Sequence, residues 1–408
     1  MNDYTPVKHK YMGSVDINPF WDGDCKAKQH MTMIMRLDHE IDGSELLTSF
    51  EETLNVWPLL KDSFIVEDDG IYFVENKSPI KVHKNTSIVA PGEGLNDNRL
   101  LAVSYNGDIV SFSGMHSYFD GGSVLMLVKG TICRYLKLHY NHDLEVGHLI
   151  TPEEGNRPEN YDYYAFRQEI TDLPFERKEP IPRYYNCFND PKMVCGANEE
   201  ISLEVITMPA DQFMSLCKSN GSNPSVMLFI IFAKAAYAVN QDLDAPITAN
   251  NTINIRHMVG MDAAIMGQTI GSDLALTKEK LENMPLPELV RELRDMLNIQ
   301  RSRDYILSRT EEMRNGVIQA DYKPTVTLAY MGELNYGECT RFIKEFTAYN
   351  DSVSSINMLE LHGNFNIFIQ LGQASSAYAA SMNKILNELG VSASITSSIP
   401  ALPDEVRQ

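Results

Sequence analysis

The sequence predicts an α/β protein made of two sandwich domains with mixed sheets. Three observations lead there. The chain has 408 residues, more than one hydrophobic core usually serves. Strand-like and helix-like stretches mix in both halves, and hairpins accompany the helices, which disfavours a regularly alternating parallel fold. Between the halves, prolines recur at Pro152, Pro158, Pro174, Pro180, Pro182 and Pro191 without clear periodicity. The expected organisation is an N-terminal half at 1–175, a crossover linker at 176–200 and a C-terminal half at 201–408.

In the first half, Met31-Thr32-Met33-Ile34-Met35-Arg36-Leu37 reads as a strand. Asp42-Gly43 turns it into a helix capped by Ser44, with Leu46, Leu47, Phe50 and Leu54 on the buried face. Trp57-Pro58-Leu59-Leu60 ends that helix. Ser63 to Val66 and Ile71 to Val74 flank Asp68-Asp69-Gly70, a hairpin pattern. A second hairpin turns at Asn106-Gly107, the strongest short turn signal in the chain. Its second strand leads into Met115-His116-Ser117-Tyr118-Phe119-Asp120-Gly121-Gly122. Val124, Leu127, Val128, Ile132 and Tyr135 then mark an amphipathic helix.

The proline-rich crossing carries Tyr161, Tyr163, Tyr164 and Phe166, which need a surface to pack on, so an ordered linker is expected. The second half opens with a strand near Ile201 to Ile206. Asn223 caps a helix whose first residue is Pro224, with Leu228, Ile231, Phe232, Ala235, Ala236 and Val239 on one face. From Ile247 to Arg256 the residues alternate. Thr248, Asn250, Thr252, Asn254 and Arg256 share one side, and a strand with a polar face among core elements often lines a cleft. Pro285 to Gln300 reads as an amphipathic helix, Thr325 to Met331 and Asn364 to Leu371 as strands. Tyr378 to Leu389 is a helix stopped by Gly390.

Composition excludes several classes. A net charge of −20 argues against nucleic acid or an anionic membrane surface as partner, since both need a basic footprint. None of the six cysteines forms a C-x-x-C pair, so no zinc site is expected. Scattered cysteines in a chain this long suggest reduced thiols and a cytoplasmic protein. The first residues lack the apolar core of a signal peptide. The most apolar run, Val226 to Val239, is interrupted by Lys234 and too short for a span of about 20 residues. His139 and His142 have roughly a metal-like spacing but no third ligand nearby, so no metal is assigned.

The candidate chemistry lies at His116, where a strand ends and the chain turns. An imidazole is suited to taking a proton near neutral pH. Two readings of Asp120 remain open at this point. It orients the imidazole as the acid of a dyad, or it turns away to pair with a base elsewhere, with Arg256 the leading partner because a guanidinium grips a carboxylate at two points. There is no G-x-S-x-G elbow, Walker A loop, H-E-x-x-H or Rossmann G-x-G-x-x-G.

Met115 to Gly122 resembles the HHxxxDG motif of the CoA-dependent acyltransferase superfamily, which includes chloramphenicol acetyltransferase, condensation domains and alcohol acyltransferases. Val56-Trp57-Pro58-Leu59-Leu60-Lys61-Asp62-Ser63-Phe64 is similar to the end of that family's first helix. Thr252-Ile253-Asn254-Ile255-Arg256 is similar to its V-N-x-R strand, and Leu328-Ala329-Tyr330-Met331-Gly332-Glu333-Leu334 to its late Y-x-G-x-L strand. The resemblance implies two chloramphenicol-acetyltransferase-like domains with an active-site channel between them. It implies His116 as general base, its ring held by a backbone hydrogen bond, with Asp120, Gly121 and Arg256 bracing the loop. The co-substrate would be an acyl-CoA or a phosphopantetheine thioester on an acyl carrier protein, with no permanently bound cofactor and a small-molecule acyl acceptor. Tyr330, Asn254 and Thr252 are candidates for lining the channel or holding the oxyanion. Arg291, Arg294, Arg301, Arg303 and Arg309 are candidates for receiving the anionic donor.

The chain departs from the pattern: Met115 stands where the motif has its first histidine, and the D-F-G-W-G motif of the plant BAHD acyltransferases is absent. In the family the second histidine carries the chemistry. With no adjoining adenylation or carrier domain in the sequence, the expected function is a freestanding acyltransferase. The alternatives are a stand-alone condensation enzyme joining carrier-bound substrates through an amide, and a non-catalytic binding relative of the fold.

Overall fold

The computed structural model describes residues 9–11, 30–67, 70–85, 89, 91, 96–97, 99–116, 118–157, 160, 174–182, 184, 186–193, 202–258, 260–267, 269–314, 323–350 and 354–396. Tyr161, Tyr163, Tyr164 and Phe166 of the crossing lie outside them, as do Asp68 and Asp69 of the first expected hairpin.

In chain order the first half runs β1 (His9–Tyr11), β2 (His30–Leu37), α1 (Gly43–Leu54), β3 (Ser63–Glu67), β4 (Gly70–Val74), β5 (His83–Lys84), β6 (Leu101–Asn106), β7 (Ile109–Met115), α2 (Gly121–His139) and α3 (Pro152–Gly155). The second half runs β8 (Leu203–Pro209), α4 (Ala210–Ser219), α5 (Pro224–Val239), β9 (Ile247–Asn254), β10 (Thr269–Leu276), α6 (Lys278–Asn283), α7 (Leu286–Gln300), α8 (Arg303–Arg314), β11 (Val326–Glu333), β12 (Ile343–Asn350), β13 (Ser355–Leu361), β14 (Asn364–Gln370), α9 (Ser375–Glu388) and β15 (Ser394–Thr396).

The strands form sheets of order β12-β2-β7-β6-β5 and β10-β9-β11-β13-β14-β8-β15, with a small sheet β1-β4-β3 beside them. Both larger sheets are mixed: β5 lies parallel to β6, and β11 lies parallel to β9 and β13. One strand crosses the expected division. β12 belongs to the 201–408 half by sequence, yet it pairs antiparallel with β2 from Ile343↔Leu37 to Asn350↔Met31. The halves in sequence are therefore not the halves in space.

Local signals explain several element ends. Gly107 takes φ +57° in the β6–β7 turn, a left-handed conformation that glycine adopts without steric cost. The cap of α1 is Asp42 rather than Ser44: its carboxylate accepts from Ser44 N and Glu45 N, while Ser44 lies inside the helix. Asn223 caps α5 by accepting from Val226 N. Gly390, at φ +83°, follows the end of α9.

Two cores result. One packs β2, β6, β7, α1 and α2 together with Ile253, Ile255, Ala264, Ile265, Met266, Phe346 and Phe368 of the second half, so it runs across the junction. The other lies between the seven-stranded sheet and α4, α5, α7 and α9. Helix α5 is buried on nearly every side rather than on one face, because it is enclosed by these helices and the sheet; only Val239 at its end is a large exposed apolar residue. Among the described residues no single helix is long and apolar enough to cross a membrane. Helices α4 and α5 reach that composition only as a pair bent by 89°.

Candidate active site

The five-stranded sheet delivers His116. β7 pairs with β2 up to Met115↔His30, and the chain then turns before α2. Met115 O accepts from Tyr118 N at 3.0 Å and Phe119 N at 2.9 Å, which tightens the turn. Phe119 is buried against Gly114, where an added Cβ would stand 2.9 Å from the ring. This anchor fixes the Phe119 carbonyl 2.9 Å from His116 Nδ1. A carbonyl only accepts, so Nδ1 carries the proton in the neutral ring and Nε2 holds the lone pair. Among the described residues Nε2 has no hydrogen-bond partner. The ring itself is half-buried.

Asp120 takes the other role left open by the sequence. It is the N-cap of α2, in a reciprocal box with Ser123, whose backbone N donates to Asp120 Oδ1 at 2.8 Å. Arg256 Nη1 donates to Asp120 Oδ2 and Nη2 to Oδ1, both at 3.0 Å. The two side chains are 3% and 6% exposed. Burial of such a pair requires every donor to find a partner. Arg256 meets this demand: Nε donates to Ala264 O at 2.6 Å, and Nη2 also to Met266 O and Ser123 Oγ, each at 2.7 Å.

Those carbonyls belong to the connection 257–267 between β9 and β10, which rests on the N-terminal half. Trp57 Nε1 donates to Ala263 O at 2.9 Å, and Ile265 N donates to Asn160 O at 2.7 Å. Gly267 N donates to Tyr118 O at 2.6 Å, reaching the histidine turn itself. Sequence reasoning missed Ser123, Ala264, Met266 and Gly267. The first had a local signal, a serine three residues after Asp120. The others act through backbone atoms, which no side-chain motif announces.

The remaining candidates separate. Gly121 opens α2, and among the described residues an added Cβ there meets only the Met31 side chain, Sδ at 3.6 Å and Cε at 3.9 Å. The tight approach is at Gly122, where a Cβ would lie 3.1 Å from Arg256 Nη1 and 3.3 Å from Asp120 Oδ1. Asn254 is exposed, and its Oδ1 accepts from Arg256 N at 3.1 Å and Nη1 at 3.2 Å. That leaves its Nδ2 as the outward donor, 3.5 Å from the Cβ position of Gly122. Thr252 is half-buried on the same face of β9, with Oγ1 3.5 Å from Leu328 O.

Tyr330 does not join them. The register Val326↔Ala249 and Tyr330↔Met358 aligns it with residues of the second core, and its ring packs edge-on against Phe365 at 6.0 Å. Thr252 and Asn254 face the other side of the sheet. Tyr330 is itself 36% exposed; partial burial, with help from Glu360, pushes its hydroxyl up.

The arginine cluster is largely committed to structure. Arg294 donates to Gly221 O, Arg303 to Pro174 O at 2.8 Å and Arg309 to Lys178 O at 2.6 Å. Arg309 also pairs with Glu312. Of the two spaced histidines, His139 is held by Glu45 at 2.8 Å and His142 is exposed. Among the described residues no group of three or more His, Cys, Asp or Glu is placed to hold a metal ion.

The sequence matches no protein-family model and no curated protein. Solved structures do match. TRI101 from F. sporotrichioides, complexed with coenzyme A and T-2, superposes with a TM-score of 0.61 at 13% identity, over 91% of this chain and 96% of that one. The first condensation domain of the CDA synthetase gives 0.61 at 12%, over 94% and 96%. The epimerization domain from the third module of tyrocidine synthetase B gives 0.59 at 13%, over 94% and 97%. The fold is that of the CoA-dependent acyltransferases and condensation domains. These superpositions extend over nearly the whole chain. An epimerization domain shares the fold, so the reaction has to be argued from the residues at His116 instead.

Proposed function

We propose that this chain is a freestanding acyltransferase, moving an acyl group from a thioester on CoA or an acyl carrier protein to a hydroxyl or amine of a small-molecule acceptor. The observation that carries the reading is the Nδ1 bond from His116 to the Phe119 carbonyl, which leaves Nε2 as the base. In this reading Nε2 takes the acceptor's proton as its oxygen or nitrogen attacks the thioester carbon. The tetrahedral intermediate then expels the thiolate, which recovers the proton from the imidazolium. Asn254 Nδ2 is the donor best oriented to meet the oxyanion, since Arg256 occupies the other end of the amide. No acyl-enzyme and no permanently bound cofactor are required. Asp120 and Arg256 act on the loop and not on the proton.

The test is release of free thiol from a panel of acyl-CoAs in the presence of alcohols and amines. Acceptor-dependent thiol release that His116→Ala abolishes supports the proposal; thiol release equal in the variant sinks the base assignment. The condensation-domain neighbours favour a second reading, amide formation between two carrier-bound substrates. It predicts turnover with carrier-bound thioesters and none with free acyl-CoA. Inertness toward every thioester, with binding retained, is the outcome for a non-catalytic relative of the fold.

A further inference from the structure

Between Ala263 and Gly267 the backbone groups alternate in what they reach. The carbonyls of Ala264 and Met266 turn to Arg256, accepting from Nε at 2.6 Å and from Nη2 at 2.7 Å. The odd-numbered groups turn to the first half. Ala263 O accepts from Trp57 Nε1 at 2.9 Å, Ile265 N donates to Asn160 O at 2.7 Å, and Gly267 N donates to Tyr118 O at 2.6 Å. Residues 263–267 therefore form a strap, with Arg256 along one edge and the N-terminal half along the other. Its last bond holds the Tyr118 carbonyl. The next carbonyl along, that of Phe119, is the one bonded to His116 Nδ1. Gly267 lies close enough that a Cβ would stand 3.4 Å from Asp120 N and 3.6 Å from the Phe119 carbonyl carbon.

We propose that Trp57 is a positioning residue for His116: its indole N–H anchors the strap at Ala263, and the strap fixes the carbonyl that sets the tautomer of the imidazole. The proposal rests on His116 as the base. Trp57 itself touches neither the reacting atoms nor the histidine loop in this role; it acts through the backbone of residues 263–267.

Burial makes this bond hard to replace. Trp57 is 2% exposed, so its N–H must find its acceptor within the fold. Gly155 of α3 packs against the same edge of the ring: a Cβ there would stand 2.4 Å from Val56 Cγ1 and 3.1 Å from Trp57 Nε1. The same short helix supports the second anchor, since Asn160 Nδ2 donates to Glu154 O at 2.7 Å. On its other edge the strap cannot move freely, because Arg256 is also held at two points by Asp120. A strap released at Ala263 therefore passes its displacement to Gly267 and the Tyr118 carbonyl. If the Phe119 carbonyl turns away from Nδ1, the neutral ring can carry its proton on either nitrogen. A ring protonated at Nε2 has no lone pair there to take the acceptor's proton.

The experiment uses the full chain and two replacements of Trp57. Trp57→Phe removes the N–H and keeps an aromatic ring. 3-Benzothienylalanine in place of Trp57 keeps the shape of the indole without the N–H, and it decides the question where the phenylalanine variant fails to fold. The imidazole ¹⁵N signals of His116, assigned by their loss in His116→Ala, report the tautomer of the neutral ring; kcat and KM for thioester cleavage are measured beside them. The unmutated chain should show the Nδ1–H tautomer alone. Both replacements should show a mixture of tautomers, with kcat lowered by about 10-fold or more and KM unchanged. A lower Tm with the tautomer and kcat both retained overturns the proposal, because Trp57 would then serve packing only. So does a mixture of tautomers in the unmutated chain. Where the unmutated chain cleaves no thioester, the ¹⁵N signals alone decide the role of the strap, so failure of the acyltransferase reading is told apart from failure of this one.

Discussion

Arg256 grips Asp120 through two nitrogens at 3.0 Å each, although the residues are 136 apart in sequence. The same carboxylate caps α2, so one residue terminates a helix of the first half and neutralises a guanidinium from the second. The shape of the histidine turn is therefore set jointly by both halves.

His116→Ala should lower acceptor-dependent thioester cleavage by about 10²–10⁴-fold, the usual contribution of a general base. The ring is half-buried and, among the described residues, bonded only to its own loop, so Tm should change little. The measurement is thiol release beside a thermal melt. A large fall in both would indicate that the loop, and not the proton transfer, had been lost.

Asp120→Asn keeps the size of the side chain and removes its charge. Arg256, 2% exposed, would then be a buried cation without its counter-charge. Breaking one side of a buried pair costs roughly 3–5 kcal/mol. Urea unfolding should show a lower midpoint, with activity also reduced. Asp120→Asn at wild-type stability would remove the brace from the mechanism.

The two glycines of the motif should behave differently. Gly122→Ala places a methyl 3.1 Å from Arg256 Nη1 and 3.3 Å from Asp120 Oδ1, so the ion pair must shift. Gly121→Ala meets only Met31 at ordinary contact distance and gains helix propensity of about 0.5–1 kcal/mol. Steady-state rates and melts of the two variants should show loss in the first and none in the second. Equal losses would argue that Gly121 is the constrained position.

Glu360 and Glu333 face each other across β11 and β13, and burial followed by Glu333 raises the Glu360 carboxyl above its ordinary 4.5. Between 4.5 and the raised value the folded state keeps a proton that the unfolded chain has lost. Stability therefore falls as pH rises through that window and stays lower above it. Glu360→Gln should stabilise the protein at pH 7 by at most ~0.5 kcal/mol after solvent screening. The gain should vanish below about pH 4.5, read as denaturant midpoints across a pH series.

Much of the site's scaffold was legible locally. The Asn106-Gly107 turn, the strand after it and the apolar spacing from Val124 to Tyr135 place His116 between a strand and a helix with no tertiary information. Asn223-Pro224 likewise opens α5 as expected. In contrast, β12 and β13 were not anticipated. β12 is buried on both faces from Phe346 to Asn350, so it lacks the alternation that marks a half-exposed strand.

The sequence by itself determined where the chain turns and which residues had the chemistry to act: a histidine, a carboxylate three residues before a serine, and a distant arginine. It left open whether Asp120 served His116 or Arg256, because both readings satisfy the same spacing. Only the tertiary structure decided that, by bringing Ala264, Met266 and Gly267 onto the turn and leaving the Phe119 carbonyl to the imidazole. It also set Tyr330 on the helix-covered face of its sheet, away from Thr252 and Asn254. Those outcomes depend on strand register and on backbone groups far apart in sequence, and neither leaves a trace in local residue pattern.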